Sequence, residues 1–118
     1  MHVKVVMDII SGHNVKSALV LGKACKNAGM HKATVYFRNS YHAAVVEIWG
    51  FSTEPSDPEY EKKAMGIICY LADQHGIKLI VDAASCSRQK NAMRFYEEFG
   101  FRMIGSRTLQ REIQFSFA

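Results

Sequence analysis

The stretch PEYEKKAMGIICYLADQHGIKLIVDA, residues 58–83, decides how this chain folds. Its first part has apolar residues at the three- and four-residue spacing of a helix with one buried face: Met65, Ile68, Leu71 and Ala72. Gly76 follows as a natural helix end. The apolar run from 77 to 83 is typical of a short strand buried on both sides. We therefore predict a helix over 59–75 and a strand over 77–83.

Toward the amino terminus, alternating apolar and polar residues predict three more strands and one helix. The strands are expected at residues 3–9, 33–38 and 43–51, and the last two are joined by the turn Asn39-Ser40-Tyr41. Residues 15–28 have helical spacing and are followed by Gly29. Residues 52–58 contain both prolines of the chain, so we expect a loop there.

Toward the carboxyl terminus we predict a helix over 88–99, closed by Gly100, and then two strands. The first strand is expected over 101–106. The second strand places Leu109, Ile113, Phe115 and Phe117 on one face. Arg111 interrupts that face, and we expect it near the edge.

The predicted order is β-α-β-β-α-β-α-β-β, without repeats or a linker. Hairpins flank a βαβ crossover, which favours a mixed sheet. We therefore predict one α/β (α+β) domain over residues 1–118, with a mixed central sheet and helices on both of its faces.

Composition narrows the class of protein. Of 118 residues, 48% are hydrophobic, which is enough for a core, and no apolar run approaches the roughly 20 residues of a membrane span. The amino terminus lacks the features of a signal peptide, so we expect a cytoplasmic protein. Three widely spaced cysteines, Cys25, Cys69 and Cys86, indicate buried thiols and neither disulfides nor a metal site.

The distribution of charged residues indicates which kinds of partner the protein could bind. The formal net charge is +4, but the basic residues are scattered and only Lys62-Lys63 forms a tight pair. A nucleic-acid-binding protein usually has a basic stripe with interleaved aromatic residues. The sequence therefore argues against nucleic acid as a partner and favours some attraction for an anionic ligand.

Three segments together resemble a known family. They are DPEYEKKAMG (residues 57–66), IKLIV (77–81) and NAMRFYEEFGF (91–101). In order and spacing they are similar to the pyrophosphate loop, the following strand and the final helix of GNAT-type N-acetyltransferases. The last segment is the most specific of the three. Compact proteins of this kind also occur among bacteriophages.

The resemblance implies a fold, a reaction and a set of site residues. It implies a trimmed GNAT-like acyl-CoA acyltransferase fold that transfers an acetyl group from acetyl-CoA to an amine, with Tyr96 protonating the leaving thiolate. A phenol has an ordinary pKa of about 10 and can therefore serve as an acid at neutral pH. Glu47 is the candidate general base. The residues expected to bind coenzyme A are Lys62, Lys63, Ala64, Met65, Gly66, Gln89 and Asn91.

The chain also departs from the family pattern. Glu61 stands where the family prefers Arg or Gln, and Ala64 stands where it prefers Gly. The polar stretch 52–58 occupies the place of a strand that ordinarily precedes the loop. The alternative is therefore a catalytically inactive GNAT-like protein-interaction module that uses Trp49 or Phe51 and an open final strand. The acceptor amine could belong to a small molecule or a protein, and the resemblance implies that a homodimer is feasible.

Overall fold

The computed structural model describes residues 2–6, 15–29, 32–40, 44–53, 57–83, 92–105 and 107–114. Nine elements follow one another in the predicted order within these ranges. The strands are β1 (His2–Val6), β2 (Ala33–Asn39), β3 (Val45–Thr53), β4 (Lys78–Asp82), β5 (Arg102–Ile104) and β6 (Thr108–Arg111). The helices are α1 (Val15–Asn27), α2 (Pro58–Gln74) and α3 (Ala92–Glu98).

The described strands form one six-stranded mixed sheet in the order β1-β2-β3-β4-β6-β5. Strand β1 is parallel to β2, and β3 is parallel to β4, whereas the β2–β3, β4–β6 and β5–β6 pairs are antiparallel. The prediction of an α+β mixed sheet is therefore confirmed. The final described strand, β6, lies between β4 and β5 and is not the open edge that the sequence suggested.

Helix α2 has clear signals at both ends. Asp57 caps its amino terminus by accepting a hydrogen bond from the Tyr60 backbone N–H, and Pro58 occupies the first turn, where no N–H is needed. At the other end Gly76 adopts a φ of +67°, and the Ile77 N–H donates to the Ala72 carbonyl. This Schellman arrangement ends the helix and turns the chain directly into β4.

The core lies on one face of the sheet, and the described parts of all three helices pack against it. Buried side chains alternate along β2, β3, β4 and β6, and each strand has a single buried face. The expectation of helices on both faces is not met by the described helices. One cluster joins the sheet to the helices, and its largest fully buried side chains are Phe37, Phe101, Leu21, Met65, Ile68, Leu79 and Leu109.

A bulge in β3 changes which side chains of that strand face the core. Tyr36 is opposite Gly50 and Phe37 is opposite Ile48, so Trp49 is the extra residue. Before the bulge Ile48 points into the core, and after it Phe51 does. Trp49 is left 55% exposed.

Arg111 is buried and does not lie at an edge as the sequence suggested. Its guanidinium donates to both carboxylate oxygens of Asp73, at 2.7 and 3.0 Å, and to the Phe99 carbonyl at 2.6 Å. The backbone N–H of Gln114 also donates to Asp73, at 3.0 Å. Burial by itself raises the pKa of Asp73, but these hydrogen bonds and the charge of Arg111 outweigh burial and hold that pKa below its ordinary value.

The two cysteines within the described ranges are free and buried. Burial raises the pKa of both thiols to about 12, and for Cys25 the proximity of Cys69 adds to the effect. Both are therefore packing residues. None of the described helices is long and apolar enough to cross a membrane.

Candidate functional site

The two central parallel strands separate along their length. Strand β3 pairs with β4 only through Val45, Val46 and Glu47, opposite Lys78, Leu79 and Ile80. Beyond Glu47, β3 continues to Thr53 while it pairs with β2 alone. The carboxyl-terminal halves of the two strands therefore diverge, which leaves an opening in the middle of the sheet.

A cleft of about 520 Å³ lies beside the diverging end of β3. The end of β3, the first two turns of α2 and one side of α3 form its walls. Its lining residues are Phe51, Ser52, Thr53, Pro58, Glu61, Lys62, Ala92, Phe95, Tyr96 and Glu98. We call this the β3–α3 cleft.

One wall of the β3–α3 cleft is aromatic. Phe51 stacks on Phe95 with ring centroids 6.1 Å apart and planes 18° apart. Phe95 meets Tyr96 edge-on at 5.4 Å. The bulge in β3 creates this wall, because it turns Phe51 toward α3.

The end of α3 holds Tyr96 in place. Gly100 adopts a φ of +93°, and the N–H of Phe101 donates to the Tyr96 carbonyl. A Schellman end of this kind brings the side chains of these two residues together. The ring of Tyr96 accordingly meets the fully buried ring of Phe101 at 5.2 Å. The Phe-Gly-Phe sequence thus places a phenol at the cleft.

Hydrogen bonds within the chain occupy the opposite, polar end of the cleft. Thr53 Oγ1 donates to Glu61 Oε1 at 3.1 Å and accepts from the Asp57 backbone N–H at 3.0 Å. Asp57 accepts from the backbone N–H of Tyr60 at 3.2 Å through its side chain and from that of Glu61 at 2.9 Å through its carbonyl. The start of α2 is therefore capped by the chain's own acidic and hydroxyl groups.

The residues predicted to form a pyrophosphate loop lie inside α2. The helix begins at Pro58, so the backbone N–H groups of residues 62–66 fall within its hydrogen-bonded turns. Ala64 and Met65 are fully buried. Gly66 faces Phe99, and a methyl group added there would meet that ring at an ordinary 3.8 Å. These residues therefore lie within the helix predicted over 59–75 and have helical conformation, whereas the resemblance implies a loop.

The two lysines differ in their relation to the cleft. Lys62 lines it, and its ammonium group pairs with Glu98 at 3.4 Å. Lys63 is exposed on α2 and is not among the lining residues. Both partners of the Lys62–Glu98 pair are more than half exposed, and such a pair adds little stability.

Glu47 lies on the sheet face opposite the helices, away from Tyr96. Both of its carboxylate oxygens accept from Nη2 of Arg38 across the β2–β3 pair, at 2.6 and 3.0 Å. It lines a separate cleft with Ile80, Val81, Asp82, Arg107 and Thr108. The structure therefore does not bring the predicted acid and base into one cleft.

Three residues singled out in the sequence, Cys86, Gln89 and Asn91, lie outside the described residues. Within the described ranges, no group of three or more His, Cys, Asp or Glu side chains is arranged to hold a metal ion.

Sequence reasoning missed the contribution of β3 to the cleft. Ser52 and Thr53 were expected in a loop, but they are the last residues of the strand. Thr53 is buried, and its hydroxyl forms hydrogen bonds with both Glu61 and Asp57. The available signal was the spacing of Val46, Ile48 and Phe51, which breaks strict alternation and indicates a bulge.

Comparison of the chain with known protein families, with curated proteins and with solved structures gives no match. The site is therefore interpreted from its own geometry.

Proposed function

We propose that this protein is a GNAT-type N-acyltransferase that transfers an acetyl group from acetyl-CoA to an amine. One observation carries the proposal: the parallel strands β3 and β4 diverge, and the β3–α3 cleft beside β3 is lined by Tyr96. An opening of this kind gives an extended thioester arm access to strand backbone. In this proposal the phenol of Tyr96, at the wall of the same cleft, would supply the proton that the leaving thiolate needs.

The reaction would proceed by direct attack. The acceptor nitrogen forms a bond to the thioester carbonyl carbon, and the carbon–sulfur bond breaks. Tyr96 gives its phenolic proton to the departing thiolate, and the proton lost by the amine returns to Tyr96 through solvent. A positioned general acid typically contributes about 10²–10⁴-fold to the rate.

The proposal leaves Glu47 outside the proton transfer. Its carboxylate is held by Arg38 on the other face of the sheet. Glu61 and Glu98 also line the cleft, but Glu61 accepts from the Thr53 hydroxyl and Glu98 pairs with Lys62. The proposal assigns neither of them the role of base, so the acceptor amine is expected to react as the free base. We expect the rate to rise with pH as the amine is deprotonated.

The first test is a calorimetric titration of the protein with acetyl-CoA, followed by thiol release across a panel of amines. We expect micromolar binding. Tyr96→Phe should lower the rate of thiol release at least about 100-fold and leave donor binding within about twofold. Tyr70→Phe is the matched control, because Tyr70 is 61% exposed on α2 and does not line the cleft. Equal rates in the two variants would remove Tyr96 from the mechanism.

A second candidate function is a catalytically inactive GNAT-like interaction module. The start of α2 at Pro58 favours it, because residues 62–66 lie inside the helix and do not themselves form a loop that could hold a pyrophosphate. In this case Trp49, exposed beside Tyr36, would contribute to a contact, whereas Phe51 is stacked in the cleft. Absence of binding at millimolar acetyl-CoA would favour this function over the enzyme.

A further inference from the structure

The β3–α3 cleft has an apolar part and a charged part, and the two differ in what they can bind. Phe51, Phe95, Ala92 and Tyr96 form the apolar part, and the two phenylalanine rings are stacked. Such a surface suits the acyl group and the pantetheine arm of a thioester. The charged part, at the start of α2, would face the group at the far end of that arm, which in acetyl-CoA is the diphosphate.

The described side chains of the charged part have a net negative charge. Glu61, Glu98 and Lys62 line it. Lys62 is already paired with Glu98 at 3.4 Å. Glu61 accepts from the Thr53 hydroxyl and has no ion pair with any described residue. A diphosphate at this end would therefore meet a carboxylate that no cation of the described residues compensates, and like charges repel.

The first turn of α2 also offers few free backbone donors for a diphosphate. Pro58 has no N–H. The N–H groups of Tyr60 and Glu61 donate to Asp57, at 3.2 and 2.9 Å. Anion binding at a helix start depends on several unpaired N–H groups pointing at the ligand. Of the first four residues of this helix, only Glu59 has a backbone N–H that takes no part in these hydrogen bonds.

We infer that the protein recognises its donor through the acyl-pantetheine arm and not through the diphosphate. Acyl thioesters of pantetheine without the nucleotide would then be donors as good as acetyl-CoA, whether free or attached to a carrier protein. This inference rests on the proposed function. It names the donor class that the cleft fits.

The test compares three donors at one ionic strength: acetyl-CoA, S-acetylpantetheine and an acetylated carrier protein. We expect the dissociation constants of the first two to agree within about threefold. Tighter binding of the acetylated carrier protein than of S-acetylpantetheine would identify the carrier as the source. Equal binding would identify the free thioester.

Two results would overturn the inference, and they have different consequences for the proposed function. If acetyl-CoA binds more than tenfold tighter than S-acetylpantetheine, the diphosphate is recognised and the proposed function stands without the inference. If none of the three donors binds at millimolar concentration, the proposed function fails and the inference fails with it.

A charge variant gives an independent check. Glu61→Gln keeps an oxygen for the Thr53 hydroxyl but removes the negative charge. We expect acetyl-CoA binding to tighten about two- to fivefold and S-acetylpantetheine binding to stay unchanged. Glu59→Gln is the matched control, because Glu59 is exposed in the same turn and does not line the cleft. Weaker acetyl-CoA binding by Glu61→Gln alone would contradict the inference.

Discussion

Each end of α2 carries a half-buried carboxylate, and the two carboxylates differ in their hydrogen-bond and ionic partners. At the carboxyl-terminal end Asp73 meets the buried guanidinium of Arg111 with two hydrogen bonds and also accepts from Gln114. At the amino-terminal end Glu61 accepts from the Thr53 hydroxyl and has no cationic partner among the described residues. The first carboxylate is neutralised within the fold. The second lines the wall of a cleft.

This difference separates a carboxylate that is satisfied within the fold from one that is available to a ligand. A buried ion pair whose hydrogen bonds are satisfied fixes how elements pack, and it has no capacity left for a ligand. A carboxylate without a cation affects any charged molecule that approaches it. Three predictions test the comparison between Asp73 and Glu61, and a fourth tests the helix that lies between them.

The largest effect is expected from Asp73→Asn. An amide cannot compensate the charge of Arg111, which stays buried, so we expect a loss of about 2–4 kcal/mol in the free energy of unfolding. Urea denaturation monitored by circular dichroism measures it. Glu112→Gln is the control, because it removes an exposed ion pair with Lys78 and should change stability by less than about 0.5 kcal/mol. Equal losses would show that the Asp73 pair is no more than a surface contact.

The pH dependence of stability should come partly from the same carboxylate. The folded-state pKa of Asp73 is lowered, so its contribution is complete above the ordinary aspartate pKa of about 3.9 and is lost as the pH falls through the folded-state pKa. Unfolding free energies measured between pH 7 and pH 3 should fall less steeply in Asp73→Asn than in the wild type. Parallel curves would mean that Asp73 has the same pKa in both states.

A smaller effect of opposite sign is expected midway along α2. Gly66 lies in the helix interior, where glycine is unfavourable, and an added methyl group would meet only the Phe99 ring, at 3.8 Å. Gly66→Ala should therefore stabilise the protein by about 0.5–1 kcal/mol. Thermal denaturation measures the gain. A destabilised variant would indicate that the backbone of Gly66 is not helical and would restore the loop interpretation.

The smallest effect is expected from Glu61→Gln. The side-chain oxygen that accepts from Thr53 is retained, so the free energy of unfolding should change by less than about 0.5 kcal/mol. The same carboxylate-to-amide change at the two ends of one helix would then differ several-fold in its cost. A large loss at Glu61 would place it with Asp73 as a structural group.

Local sequence predicted most of the fold because the signals are short-range. Asp57 with Pro58 and Gly76 marks the ends of α2, and period-two alternation marks β2. The predicted order of nine elements is confirmed by the described residues. The last two residues of β3, Ser52 and Thr53, were missed, because they begin a polar stretch with two prolines that is typical of a loop.

The candidate site was predictable only in part. The Phe-Gly-Phe end of α3 fixes Tyr96 through local backbone geometry, so its placement at the cleft follows from sequence. The pyrophosphate loop was implied by the family resemblance, over residues that the helical spacing assigns to the predicted helix 59–75. Here the cap at Asp57 starts α2 about one turn before Lys62.

The sequence by itself therefore determined the elements, their order and the position of Tyr96 on α3, because these depend on contacts between residues near one another in the chain. Only the tertiary structure decided that β6 lies inside the sheet, that Arg111 is buried on Asp73 and that Glu47 and Tyr96 line different clefts. Each of these depends on partners distant in sequence. A side chain's charge and spacing do not reveal such partners before the chain has folded.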